Sequence, residues 1–174
     1  VVGLLLERGA SIDAANNDNW TSLHFAAQEG HESVVRLLLE RGASIDAANA
    51  LFATSLHCAA WKGHESIVGL LLERGASIDA ANALFATSLH CAAWKGHESI
   101  VGLLLERGAS IDAANALFAT SLHCAAWKGH ESIVGLLLER GASIDAANAL
   151  FATSLHLAAE NGHESVVGLL LERG

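Results

Sequence analysis

The chain has 174 residues, 52% of them hydrophobic, and a formal charge of −9 at pH 7. That length supports one domain with a substantial core, while ten Lys and Arg against nineteen Asp and Glu lack the cationic clustering that phosphate-backbone binding needs. Mean hydropathy is positive, yet no apolar run approaches the roughly 18 residues of a membrane-spanning helix, so neither nucleic acid nor membrane insertion is expected.

In chain order, the first element predicted is a short helix at Val1–Arg8, identical through Gly9 to Val166–Gly174. The stretch from 21 onward then repeats with a period of 33 residues. Residues 54–86, 87–119 and 120–152 are identical; 21–53 differs only at Phe25, Gln28, Glu29, Val34 and Arg36; and 153–174 is a shortened variant. The expected organisation is one domain over 1–174, with 1–20 a partial repeat, 21–53, 54–86, 87–119 and 120–152 full repeats, and 153–174 a terminal partial repeat. With no Met in the chain, the expectation is a window on a longer sequence.

Within 54–86, Thr54 is a good N-cap, and Ser55–Lys62 makes about two helical turns before Gly63, which can adopt the left-handed conformation that ends a helix. Leu56, Ala59 and Ala60 share one face; Ser55, Cys58 and Lys62 are expected on the other, with Trp61 at the border. A second helix follows from about Glu65 to Arg74, with Ile67, Val68, Leu70, Leu71 and Leu72 on its apolar side. Glu65, Ser66, Gly69 and Glu73 form its exposed stripe, and Gly75 closes it. Helices this short are marginal alone, so each unit must bury its faces against its neighbours, as in a solenoid.

The segment "TSLHCAAWKGHESIVGLLLERGASIDAAN" resembles the ankyrin repeat, whose first helix opens T-P-L-H-x-A-A and whose second ends L-L-L-x-x-G-A. The resemblance covers the whole chain. It implies a mainly α fold, a solenoid of stacked antiparallel helix pairs with β-hairpin or irregular fingers. It also implies protein recognition through finger tips and inner helices, without catalytic residues. Two positions depart from the family pattern. Ser55 stands where the family has Pro, and Phe52 stands where the finger's Gly takes a positive φ. Left-handed backbone at a non-Gly residue costs roughly 1–2 kcal/mol; in the leading copy Asn19 holds that place more comfortably. Two arrangements are open: a strained finger with Leu51 and Phe52 at its tip, preceded by a Ser-Ile-Asp strand, or one longer helix through "AANALFATSLHCAAW".

No catalytic, metal or cofactor site emerges. The resemblance gives His57 and its equivalents the role of tying neighbouring loops by hydrogen bonds. Metal ligands converge near 2 Å from one ion, whereas repeat-equivalent histidines should be roughly 10 Å apart. The same spacing prevents disulfides among Cys58, Cys91 and Cys124, and free thiols fit a reducing compartment such as the cytoplasm. His57 and Cys58 are adjacent on a helix and point apart, so they form no nucleophile pair.

The candidate partner-binding residues are Trp61, Lys62, Trp94, Lys95, Trp127 and Lys128 in a groove, with Leu51, Phe52, Leu84, Phe85, Leu117, Phe118, Leu150 and Phe151 as its finger edge. The tryptophans either fold over their neighbours to shield the first helix or present an aromatic surface to an apolar or acidic partner. The expected function is non-catalytic binding of a protein, or of a second copy of this chain. The alternative, favoured by the three identical copies, is an engineered or consensus scaffold with no natural ligand.

Overall fold

Each Thr-Ser-Leu-His start and each Gly stop delimits a helix in the computed structural model, which describes residues 1–174. The chain enters on α1 (Val2–Glu7). Helices then come in pairs: α2 (Ser22–Gln28) with α3 (Glu32–Glu40), α4 (Ser55–Lys62) with α5 (Glu65–Glu73), and α6 (Ser88–Lys95) with α7 (Glu98–Glu106). Two more pairs follow, α8 (Ser121–Lys128) with α9 (Glu131–Glu139) and α10 (Ser154–Glu160) with α11 (Glu164–Arg173). Thr54 has extended backbone, φ −93° and ψ 171°, and its hydroxyl accepts from the third helical amide, while the His57 ring returns to the Thr54 amide. This is a capping box with His in the usual Glu or Gln place. Gly63 ends α4 at φ 84°, where any Cβ would add strain.

The pairs stack in two rows. Helices α2, α4, α6, α8 and α10 pack successively in one row, and α3, α5, α7, α9 and α11 in the other. Leu56, Ala59, Ala60, Ile67, Val68 and Leu71 are at most 1% exposed, and they belong to a core of 33 buried residues that runs through every repeat without a break. Ala at two core positions of each first helix lets the rows approach closely, and the leucines and isoleucines supply about 1.5–3 kcal/mol each on burial. Along the second row, Arg74, Arg107, Arg140 and Arg173 reach back to a Glu of the previous repeat at 3.4–4.0 Å. These exposed pairs contribute at most about 1 kcal/mol each.

Ser55 and Cys58, expected on an outward face, are buried. A first helix has another first helix on each side as well as its own partner, so three of its faces are covered rather than one. The Ser55, Ser88, Ser121 and Ser154 hydroxyls are buried without a hydrogen-bond partner. On the second helix Glu65, Ser66 and Glu73 are exposed, whereas Gly69 is half-buried, a Cβ there lying 3.9 Å from Leu103 Cδ2.

The connecting fingers are turns rather than strands or helix. The expected Ser-Ile-Asp strand does not form; an isolated bridge between Ala15 and Thr21 is the sole β pairing. Carboxylates replace a ladder: Asp46 accepts from the Ser77 amide at 2.9 Å and from its hydroxyl at 2.6 Å, Asp13 does the same with Ser44, and Asp79 and Asp112 accept from the Ser110 and Ser143 amides. The longer-helix arrangement is not adopted either. Phe52, Phe85, Phe118 and Phe151 sit at φ of 55–57°, with Asn19 at 58° in the leading copy.

Candidate functional site

The finger tip is built by Asn49. Its backbone carbonyl accepts from the Phe52 amide at 2.9 Å, and its amide donates to the Ala53 carbonyl. Its side-chain Oδ1 accepts from the Leu51 and Ala53 amides at 2.9 and 3.0 Å. The result is a tight turn followed by one left-handed residue, and that residue is Phe52. Successive tips are joined by one backbone bond, such as Ala83 N–H to Leu51 C=O at 2.8 Å. Four satisfied bonds around each Asn hold phenylalanine in a conformation that favours glycine.

This geometry separates the two apolar tip residues. Leu51, Leu84 and Leu117 face a groove of about 650 Å³ between the fingers and the first-helix row, whose other wall carries Trp61, Trp94 and Trp127. Phe52, Phe85, Phe118 and Phe151 do not line the groove; they lie on the outer side of the tip and are 63–87% exposed. Leu150 is also outside it. Trp61 and Trp127 are 41% and 38% exposed, and Trp94 is half-buried.

The lysines fold back over the tryptophans of the preceding repeat. Lys95 Nζ is 4.2 Å from the centroid of the Trp61 ring, and Lys128 Nζ is 4.2 Å from that of Trp94, within cation–π range. Trp127 has no such cap, because Asn161 stands where the next lysine would be. Lys62 has Gln28 rather than a tryptophan in the preceding repeat. Neither arrangement expected for the tryptophans describes this fully: the rings line the groove, but two of them are covered by ammonium groups.

Two histidine ladders stitch the repeats together, the first of them at the groove. His57 Nδ1 accepts from the Thr54 amide at 3.1 Å, and Nε2 donates to the Ala86 carbonyl of the next finger at 3.0 Å. His24, His90 and His123 repeat the arrangement. Burial pushes all four below the usual imidazole pKa, against a smaller upward pull from the carbonyls, so these rings are neutral. The second ladder is less visible in sequence. His64 Nε2 donates to the Gln28 carbonyl at 2.9 Å, and His97, His130 and His163 donate to the carbonyls of Trp61, Trp94 and Trp127. Each of these rings sits against a helix-ending glycine of the previous repeat; a Cβ on Gly63 would lie 2.7 Å from His97 Cε1. Partners 36 residues apart leave no local pattern to read.

Cys58, Cys91 and Cys124 also face the groove floor. Burial raises their thiols to about 12, so they are protonated and poor nucleophiles. No group of His, Cys, Asp and Glu is placed to hold a metal ion, and no helix is long and apolar enough to cross a membrane.

The repeat geometry agrees with comparisons to known proteins. A family model described as ankyrin repeats (3 copies) matches residues 1–82, 53–115 and 89–174. Among curated proteins, a 35-residue stretch is 49% identical to the Notch-regulated ankyrin repeat-containing proteins of Xenopus tropicalis and Xenopus laevis. That stretch is 20% of this chain and spans 31% of each relative's length. Paired helices, capped starts and His-stitched loops recur along the chain, and the family model covers it from end to end: the protein belongs to the ankyrin-repeat family.

Proposed function

We propose that the chain is a non-catalytic binding module that seats a protein partner in the groove between its fingers and its first-helix row. Ankyrin repeats are in general protein–protein interaction modules and typically not enzymes, which sets the class. The observation that carries the reading is the groove itself, about 650 Å³, with finger leucines on one wall and partly exposed tryptophans on the other. Leaving apolar surface in water costs about 25 cal/mol per Å², and aromatic side chains in such a position are favoured anchors for a partner. In this reading residues 1–174 act as one unit and the site is Trp61, Trp94 and Trp127 with Leu51, Leu84 and Leu117. Lys62, Lys95 and Lys128 stand at its edge, and the exposed phenylalanines and Leu150 extend it along the finger tips. The buried free thiols suit a reducing compartment.

The test is affinity capture from cell extract by the chain and by its Trp61→Ala/Trp94→Ala/Trp127→Ala variant, with helix content checked by circular dichroism. Proteins retained by the first and lost by the folded variant support the reading. Equal capture by both contradicts it.

A further inference from the structure

The groove edge has a charge pattern of its own, and we infer from it that the partner presents an extended acidic segment. Its acidic side chains recur at every third residue, three in all, with a basic residue one step beyond at the end that meets Glu29. This rests on the reading of the groove as the partner's seat and names the partner's chemistry.

Lys62, Lys95 and Lys128 are the only lysines of the chain. They do not line the groove but stand one residue after its tryptophans, at equivalent places beside it, are exposed, and take no part in any ion pair, since all five such pairs use Arg. Three uncompensated ammonium groups in a row are conspicuous on a chain of net charge −9. Lys95 and Lys128 are held over tryptophan rings at 4.2 Å. That contact orders a flexible side chain before any partner arrives, lowering the entropic cost of binding. It also covers one face of Trp61 and of Trp94, so those repeats offer positive charge beside the part of each ring that stays exposed.

The row has ends. In the first full repeat Gln28 and Glu29 replace Trp and Lys, and in the last Glu160 and Asn161 do so. Glu29 and Glu160 are exposed. The lysine positions therefore read Glu29, three lysines, Asn161: negative, three positives, neutral, with Glu160 at the tryptophan position of the last repeat. A segment that stays acidic past the lysines would be repelled at the Glu29 end, whereas one with a basic residue there is matched.

The spacing selects the conformation. Packed helices lie roughly 8–10 Å apart. A polyproline II segment advances about 3.1 Å per residue with three residues per turn, so every third side chain points the same way after about 9 Å. An α-helix would need a period of about seven residues to match, and it is about 10–12 Å across. The extended form presents its acidic groups once per turn of three residues, and a helical peptide is the alternative it is tested against.

The experiment uses fluorescently labelled synthetic peptides and the whole chain, read by anisotropy at low salt. The probe carries three acidic residues at every third position, with a basic residue three positions beyond at one end. A second peptide has the same composition with its acidic residues adjacent, and a third is helical with acidic residues every seventh position. Three exposed ion pairs predict roughly tenfold to hundredfold tighter binding of the first peptide than of the second. The Lys62→Glu/Lys95→Glu/Lys128→Glu variant, folded by circular dichroism, should lose the first peptide and bind its charge-reversed counterpart. Equal affinity for the first two peptides, preference for the helical one, or indifference to the Lys variant overturns the inference. If proteins captured by the chain still depend on Trp61, Trp94 and Trp127 while the peptides show no preference, the charge pattern fails and the groove reading stands.

Discussion

Replacing Ser55, Ser88, Ser121 and Ser154 should stabilise the protein. Each hydroxyl is buried with no partner, which costs about 1–3 kcal/mol per group. Changing all four to Ala should therefore return about 4 kcal/mol at the lower limit. For a chain of this size that is roughly 8–16 °C in Tm. Pro at the same places should add about 0.4–1 kcal/mol each by restricting the unfolded chain. The backbone permits it: each Ser is the first helical residue, where Pro is favoured, and the preceding Thr54, Thr87, Thr120 and Thr153 are extended, with ψ of 171–174°, as a residue before Pro must be. Ser22 is the internal control, because its position is exposed and its hydroxyl can reach water; Ser22→Ala should change little. Thermal melts followed by circular dichroism decide the matter. An unchanged or lower Tm in the fourfold Ala variant would refute the claim that these hydroxyls are a burden on the fold. A gain with Ala but a loss with Pro would place the fault in space for the ring.

Three further outcomes follow from the same contacts. The buried His24, His57, His90 and His123 have their pKa lowered by burial, so below about pH 6.5 the unfolded chain binds more protons than the folded one. Stability present above that pH should fall as pH decreases, and a Tm flat from neutral pH into the acid range would contradict the neutral ladder. Gly75→Ala, at φ 88° with open space around it, should cost about 1–2 kcal/mol. Gly63→Ala, which also meets the His97 ring, should cost at least about 1 kcal/mol more, and equal denaturant midpoints for the two would contradict the close packing of His97 on Gly63. Finally, the Leu-Phe pairs at 51–52, 84–85, 117–118 and 150–151 should drive self-association through the finger edge; changing all four to Asp-Gly should leave a folded monomer by sedimentation. A wild-type chain that is already monomeric at high concentration, or a variant that unfolds, would count against that edge.

The helix pairs were legible because their signals are local. Thr54 as cap, Gly63 as stop and the apolar side of Ile67–Leu72 lie within a few residues of the structure they specify. What escaped was set by neighbours one repeat away. Cys58 and Ser55 read as outward on a helical wheel, yet stacking covers that face. Asp46 fits a strand by its Ser-Ile-Asp context, but its carboxylate is taken by Ser77 and no ladder forms. Phe52 contradicts the local preference for Gly, and only the four bonds made by Asn49 explain why the turn persists. At the groove, the residues were legible but their pairing was not. Nothing local indicates that Lys95 covers Trp61, 34 positions earlier, or that the Leu and Phe of one tip turn to different sides.

The claim that the groove is the working surface is tested most directly by the indole N–H signals of the four tryptophans in a nitrogen-15 correlation spectrum. A protein captured by the chain is titrated in. The Trp61, Trp94 and Trp127 indoles should shift while the amides of Glu65, Glu98 and Glu131, on the opposite row, stay in place. Shifts confined to that second row, with the three indoles unmoved, would contradict it.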